Sequence, residues 1–476
     1  MNDSNPTAEP RYRTAKALLF AIVCSLAIAA ASVGGSLWAG DSVIDAVKSS
    51  SLLVVRKLRM PAGMDSWGPM WSGLYRVREH EGSAYQRTWS LDKCKFQYPP
   101  SALLLLELMP PPDVLPMSCA PDAARADAWT NAWPAKPWVS WASRLSVLAT
   151  ALVSLLILRR EMPGQRLGTV GTLAGAVVAL TFYPMLWGHD LGQVQVFMNL
   201  ALAVALLNMR SRPGWSGVLV GLCCLLKPQC VLFLLWGALR REGRFCAGLL
   251  AIFGLGTAAA LARYGLDLHV EYIAFLRGLS QTGEVFWGNQ TLNGVLNRLL
   301  STGEPVTWVP GAFPAYHPVV RWGTLLGALP VLGGALWLLP ARAATVRRDL
   351  DFATMLAALT IASPVGWEHH YGGFIAIFAL LLGVTASRAN APRAAWVALG
   401  FGFITMANVW LAPQHVFTGP LQGLLGSHLW FGALATFGLL LYWRLHSSSV
   451  VSLQPARADV GVLGSRWRTR QPLAEG

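Results

Sequence analysis

The sequence predicts an all-α protein that crosses a membrane many times. Of its 476 residues, 54% are hydrophobic and only 13% are charged, and the mean hydropathy is +0.44. Soluble domains have a much larger charged fraction. Apolar runs of about 20 residues, the length that spans a bilayer core, recur between short basic loops. We therefore expect a bundle of roughly 10–12 transmembrane helices with a large first outer loop.

The positions of lysine and arginine predict how the chain is oriented. The formal net charge is +14, and the basic residues gather in alternate loops, as the positive-inside rule requires of cytoplasmic loops. This placement explains the charge without a nucleic-acid partner. We assign residues 1–16 to a cytoplasmic tail, 17–443 to the membrane domain and 444–476 to a basic cytoplasmic tail. Two long outer segments, about 39–137 and 263–319, lie on the opposite side.

Residues 215–239 form an apolar segment between two arginine-rich loops. At about 1.5 Å per residue, this segment is too short to cross a bilayer twice. We therefore expect a half-depth hairpin that is broken at Lys227-Pro228, because proline interrupts helical hydrogen bonding. A lysine at that depth costs about 3 kcal/mol on insertion scales. A lipid phosphate would compensate it; the alternatives are a salt bridge or extension of the side chain to the interface.

Polar side chains at the outer ends of the spans are the candidates for chemistry, since such residues are costly at membrane depth and usually functional. In the first outer segment, Asp65 is a candidate general base that takes a proton from an attacking hydroxyl. The alternative is a solvated loop acid, because the same segment holds several other acids. Tyr98, in a Tyr-Pro-Pro sequence, is a further candidate for substrate binding.

The later outer turns contain the remaining candidates. They are His189, Gln193, Asn289, Gln290, Arg298, Glu368, His369 and His370. Their imidazole, amide, carboxyl and guanidinium groups are suited to binding a sugar or a phosphate. For Asn289, Gln290 and Arg298 the alternative is a capped amphipathic loop helix. No metal site is expected, because the Glu-His-His sequence lacks the spacing that places two histidines on one helical face.

The sequence has seven cysteines and leaves one possible disulfide open. Five lie in or beside apolar spans and are expected to be packing residues. Cys94 and Cys119 share the first outer segment. A disulfide between them is expected only if that segment faces an oxidising compartment and the two Cα atoms lie close enough.

Several short motifs, taken in order, resemble glycosyltransferase family 87 of the GT-C superfamily. The resemblance covers about residues 60–390. The motifs are Asp65 with the later Tyr85, Phe-Gln-Tyr-Pro-Pro at 96–100, Gly192-Gln193, Leu-Leu-Lys-Pro-Gln at 225–229, Gly-Asn-Gln-Thr-Leu at 288–292 and Ser-Pro-Val-Gly-Trp-Glu-His-His at 363–370. The sequence departs from the family after the acid: an aromatic Asp-Phe-x-x-Tyr-Tyr stretch is more usual there, and this chain has Asp-Ser-Trp-Gly-Pro-Met-Trp at 65–71.

The resemblance implies a GT-C-like fold and an inverting transfer of a sugar, typically mannose or arabinofuranose. The donor is a polyprenyl-phosphate sugar, the acceptor is a lipid or glycan, and the active site faces the periplasm from a bacterial inner membrane. Asp65 matches the family's base, and Lys227 with His369, His370 or Arg298 is expected to stabilise the departing phosphate. No cofactor is assigned beyond the donor substrate, and the partners are membrane lipids and these two substrates.

A transporter or lipid flippase is the alternative class, because such proteins also use broken helices and charges within the membrane. The two large outer segments and the absence of repeated halves in the sequence favour the enzyme.

Overall fold

The chain is almost entirely helical. The computed structural model describes residues 54–80, 82–113, 133–162, 168–303, 313–337, 347–388, 390–407 and 419–446, with residues 30, 33, 34, 37, 119 and 308 as single positions. Within these ranges there are eighteen α-helices, two 3₁₀ helices and no β-strand. The first part of the predicted membrane domain, residues 17–38, lies almost wholly outside the described residues.

The α-helices follow one another with short connections. They are α1 Val54–Arg59, α2 Trp67–Glu79, α3 Ala84–Ser90, α4 Pro100–Leu106, α5 Lys136–Glu161, α6 Thr169–Leu180, α7 Tyr183–Leu191, α8 Gln195–Asn208, α9 Pro213–Leu226, α10 Leu232–Leu239, α11 Gly243–Thr282, α12 Leu292–Leu299, α13 Pro318–Leu336, α14 Arg348–Ile361, α15 Phe374–Ala386, α16 Arg393–Ala407, α17 Gly419–Leu425 and α18 His428–His446.

Several helices are long and apolar enough to cross a membrane. In the described part of the chain these are α5, α11, α13 and the segment Glu368–Ala386, which joins a 3₁₀ turn to α15. Two bent pairs, α6 with α7 at 50° and α17 with α18 at 45°, raise the number to six if each pair is one span. The described chain also contains shorter apolar helices, namely α8, α9, the segment Pro228–Leu239 and α16. The fold class is thereby confirmed as an all-α polytopic membrane protein.

The break predicted in residues 215–239 is confirmed. Helix α9 ends at Leu226, and Lys227 has an extended backbone with φ −137° and ψ 96°. A 3₁₀ turn, Pro228–Val231, then leads into α10. The interruption places the lysine side chain at the end of one short helix, where it faces the interior of the bundle.

The core of the bundle is formed by α14 and α15, whose side chains are buried over almost their whole length. Asp351 on α14 binds three neighbours at one end of this core. Its carboxylate lies 2.6 Å from Arg240 Nε and 3.3 Å from Arg444 Nη1, and it accepts a hydrogen bond of 3.1 Å from Trp236 Nε1. An acid shared by two arginines ties α10, α14 and α18 together at the predicted cytoplasmic side.

The first outer segment is held in place by internal bonds. Cys94 and Cys119 form a disulfide with a Cα–Cα distance of 4.9 Å, so the pairing that the sequence left open is present. Arg76 and Asp92 make a buried ion pair of 2.5 Å. Glu271 on α11 accepts a hydrogen bond from Tyr85 N at the start of α3. The segment therefore packs firmly on α11, which bends at Gly265, where φ is +78°.

Helices α9 and α11 cross with their backbones in contact. A methyl group added to Gly217 would come within 2.0 Å of Phe245 O, and one added to Gly248 within 2.3 Å of Gly214 O. Glycine at these positions permits the close approach. Because α9 ends at Leu226, directly before Lys227, this crossing fixes where the lysine is presented.

We predict that Gly217→Ala destabilises the protein by about 1–3 kcal/mol, the usual cost of overpacking a close contact. Thermal unfolding of the purified protein in detergent measures the effect. Gly254→Ala is the matched control, since Gly254 lies on α11 with no heavy atom within 4 Å of the added methyl. Equal unfolding midpoints for the two variants would contradict the close packing.

Candidate active site

A cavity of about 690 Å³ opens beside the broken helix. This volume is typical of sites that bind small molecules. Six of the side chains singled out in the sequence line it: Asp65, Tyr98, Gln193, Lys227, His369 and His370. The fold thus brings together residues from the first outer segment, the α7–α8 turn, the break after α9 and the turn before α15.

The main chain on either side of Asp65 is fixed to the turn between α7 and α8. Gly63 N donates to Asp190 O and Asp65 N donates to Leu191 O, both at 3.0 Å. Gly192 completes the turn with φ +73°, and a methyl group at this position would come within 1.8 Å of Gly63 O. Only glycine combines this left-handed backbone with so close an approach. The two segments therefore hold the acid at the cavity wall.

Side chains hold the Asp65 carboxylate as well. Gln193 Nε2 donates to Asp65 Oδ2, and Gln193 Oε1 accepts a 2.7 Å hydrogen bond from Ser66 Oγ. The Ser66 hydroxyl in turn lies 2.6 Å from the Tyr98 hydroxyl and accepts from Val194 N at 3.0 Å. Gln193 and Tyr98 thus position the acid, in addition to lining the cavity. Sequence reasoning missed Ser66, whose one signal is its place next to Asp65.

The surroundings of Asp65 tune its acidity. The side chain is open to the cavity, but the surrounding protein separates it from bulk water. This desolvation raises its pKa to about 6, against the opposing influence of the Gln193 hydrogen bond and of Lys95, while Glu284 adds to the rise. A carboxylic acid with this pKa is mostly ionised at pH 7 and can take up a proton.

Lys227 is a cation without an acid beside it. Its Nζ donates to Gln195 Oε1 at 2.8 Å. Within the described ranges no carboxylate lies at ion-pair distance from it, so the salt-bridge alternative finds no partner there. His369 and His370 line the same cavity as Lys227. An uncompensated ammonium that faces a polar cavity is a binding site for an anion.

The Glu-His-His sequence forms the 3₁₀ turn Glu368–Gly373. His369 and His370 line the cavity, whereas Glu368 is buried behind it and is 1% exposed. His369 Nδ1 and Glu368 Oε1 are buried without a hydrogen-bond partner among the described residues. His189 also lies away from the cavity: it is fully buried, and its Nδ1 is 2.9 Å from Ser143 Oγ.

Asn289, Gln290 and Arg298 do not line the cavity either. Asn289 binds main-chain groups of the turn before Glu368, accepting from Gly366 N at 3.0 Å. Gln290 donates to Gly426 O at 2.7 Å, and Arg298 donates to Asn289 O at 3.1 Å and to other carbonyls of its own loop. These buried side chains organise the second outer segment and the turn that carries His369. This arrangement fits the alternative of a capped loop helix better than direct contact with a substrate.

No group of three or more His, Cys, Asp and Glu side chains in the described residues has the arrangement of a metal site.

Comparison with known proteins is consistent with this geometry. The family model described as Glycosyltransferase family 87 matches residues 96–364. A curated relative from Mycolicibacterium smegmatis is 28% identical over 371 residues, which is 70% of this chain and 78% of the relative. It is named polyprenol-phosphate-mannose-dependent alpha-(1-2)-phosphatidylinositol mannoside mannosyltransferase. No solved structure matches this chain significantly.

We predict that Gly192→Ala destabilises the protein by about 1–3 kcal/mol, because the residue would need a strained backbone and its methyl would push the Gly63 carbonyl away. The thermal unfolding midpoint in detergent measures this. Gly278→Ala is the control, since its added methyl meets nothing within 4 Å. A Gly192→Ala protein as stable as the control would show that the contact between these loops is not tight.

Proposed function

Because the chain belongs to glycosyltransferase family 87, we propose that it transfers a sugar, mannose in the first instance, from a polyprenyl-phosphate donor to a glycolipid acceptor. One observation supports this above the others. A single cavity presents an ionisable carboxylate, Asp65, and an uncompensated ammonium, Lys227. A glycosyl transfer that releases a phosphate needs a base for the acceptor and a positive charge for the leaving group.

The reaction is a single displacement with inversion at the anomeric carbon. Asp65 takes the proton of an acceptor hydroxyl as the oxygen attacks the anomeric carbon of the donor. The new carbon–oxygen bond forms while the bond to the phosphate oxygen breaks, and the bonding electron pair leaves with polyprenyl phosphate. The hydrogen bond from Gln193 holds the carboxylate in place for this step.

The departing phosphate gains negative charge as its bond to the sugar breaks. Lys227 supplies the compensating positive charge, and Gln195 holds its ammonium at 2.8 Å. A preorganised charge in a cavity largely closed to water is usually the largest contribution to such catalysis. His369 and His370 also line the cavity and provide further hydrogen-bonding groups for the phosphate.

The cavity faces the periplasm of a bacterial inner membrane in this proposal. The arginine-rich loops define the cytoplasmic side by the positive-inside rule, and the first outer segment, which contributes Asp65, lies opposite them. The Cys94–Cys119 disulfide in that segment supports an oxidising compartment. The apolar side chains exposed on α13, Leu326 and Leu329, provide a surface for lipid.

We predict that Asp65→Asn lowers sugar transfer at least 100-fold, the lower part of the range for removing a general base. Purified protein is supplied with labelled polyprenyl-phosphate mannose, or the arabinofuranose donor, and a membrane glycolipid extract. Asp267→Asn, which changes an exposed acid on α11 away from the cavity, retains wild-type transfer. Equal rates for both variants would exclude Asp65 as the base, and no transfer by wild type from either donor would overturn the proposed function.

We also predict a pH dependence. Since the base acts when ionised, transfer falls as the pH drops through about 6, the pKa of Asp65. The Gln193 hydrogen bond favours the ionised carboxylate. Its loss in Gln193→Leu therefore raises the pKa of Asp65 and moves this fall in rate, the acidic limb of the pH profile, to higher pH. Rates measured from pH 4.5 to 9 test the shift, with the exposed-residue variant Gln86→Leu as control. An unmoved limb in Gln193→Leu would contradict the role of this amide.

A further inference from the structure

Helix α8 contains a buried polar side chain that the proposed mechanism does not use. Asn199 is 1% exposed, and the rest of the helix is apolar between Gln195 at its start and Asn208 at its end. Polar side chains inside a membrane bundle are costly and are usually retained for a function. Asn199 is therefore a candidate for a role in the nearby site.

The side chain of Asn199 binds that of Gln195, one helical turn earlier. Gln195 Nε2 donates to Asn199 Oδ1 at 2.9 Å, as residues four apart on one face of a helix can do. The other end of the same amide, Gln195 Oε1, accepts from Lys227 Nζ at 2.8 Å. The three side chains thus form a chain of hydrogen bonds that starts at the cation of the cavity and ends inside the bundle.

The donors and acceptors allow this chain of hydrogen bonds to run in one direction. An ammonium only donates, so Gln195 must present its carbonyl oxygen to Lys227. The NH₂ group of Gln195 then faces Asn199, whose Oδ1 supplies the acceptor that this group needs. If the Gln195 amide were turned over, donors would face donors at Lys227 and that hydrogen bond would be lost. Asn199 therefore favours the orientation in which Gln195 binds the lysine.

Asn199 is itself held by packing against the turn that contains the histidines. A methyl group added to Gly372 would come within 2.1 Å of Asn199 Nδ2, so the amide lies directly against the 3₁₀ turn Glu368–Gly373. Nδ2 has no hydrogen-bond partner among the described residues. The polar contact that Asn199 makes in this part of the chain is therefore the one with Gln195.

The start of α8 supports both charged groups of the site. Gln193 donates to Asp65 Oδ2 and is supported by Ser66, from the first outer segment. Gln195, two residues later, accepts from Lys227 and is supported by Asn199, from within α8. Each of the two amides thus holds one charged group, and each has a second side chain that orients it.

We propose that Asn199 is a positioning residue for the donor phosphate. It keeps the Gln195 carbonyl directed at Lys227, and the ammonium is thereby held where the departing phosphate gains its charge. This rests on the proposed function, in which Lys227 binds that phosphate. Asn199 does not line the large cavity, so it acts through Gln195 and Lys227 and touches neither substrate.

Binding of farnesyl phosphate, a short polyprenyl phosphate, tests this role without requiring sugar transfer. The purified full chain in detergent is titrated with this probe by isothermal titration calorimetry. We expect Asn199→Leu to lower the affinity about tenfold, because the lysine is no longer held. Asn208→Leu is the matched control: it makes the same substitution at the far end of α8, where Asn208 Nδ2 donates to Val204 O. This control keeps wild-type affinity.

A double-mutant cycle separates positioning from a general loss of structure. Lys227→Met lowers the affinity at least as much as Asn199→Leu does. In the Lys227→Met background, Asn199→Leu then causes no further loss, because the charge that it positions is gone. A further loss of about tenfold in that background would show a structural effect and would overturn the proposal. Asn199→Ala, the smaller change, gives the same comparison if the leucine variant does not fold.

The outcomes distinguish this inference from the proposed function. Wild-type affinity in folded Asn199→Leu, together with loss of binding in Lys227→Met, would overturn the role of Asn199 and leave the phosphate site in place. If wild type does not bind farnesyl phosphate, or if Lys227→Met binds it equally well, the phosphate site itself is wrong and the inference is overturned with it.

Discussion

The site depends on the main-chain contact between the loop before α2 and the turn between α7 and α8. Two backbone hydrogen bonds of 3.0 Å fasten residues 63–65 to residues 190–191, and Gly192 allows the two chains to touch. This contact brings the first outer segment to the membrane bundle and sets Asp65 on the cavity wall. Gln193 follows directly in the same turn, so the turn that makes the backbone contact also orients the carboxylate. A catalytic group on a loop acquires a fixed position when a rigid partner holds its backbone and its side chain together.

The cavity wall contains two differently paired lysines. Lys227 reaches it from a broken helix and has no acid nearby in the described structure, which favours an anion. Lys95 is instead paired with Glu284. Two contacts behind the site hold the helices that present Lys227. They are the ion cluster around Asp351 and the crossing of α9 with α11.

Sequence patterns predicted the helical membrane fold and the break at Lys227-Pro228, because hydropathy, proline chemistry and the cost of a buried charge act locally along the chain. Asp65 was distinguished from the other acids of its segment mainly by the resemblance to the family's base. Local sequence patterns predicted fewer of the contacts at the site. Asn289 and Arg298 have the same donors whether they bind a sugar or a carbonyl of their own loop, and only the fold shows that they bind carbonyls. Ser66 and Gln193 form a hydrogen bond across 127 residues, and the pairing of Lys95 with Glu284 spans 189. Such contacts have no signature in a single sequence.

The most direct test of the account is an electron cryomicroscopy structure of the protein with an unreactive polyprenyl-phosphonate analogue of the mannose donor. We expect the phosphonate to lie against Lys227 and the two histidines, with the anomeric carbon directed toward Asp65. A phosphonate bound away from Lys227, or an anomeric carbon directed away from Asp65, would contradict the proposed mechanism.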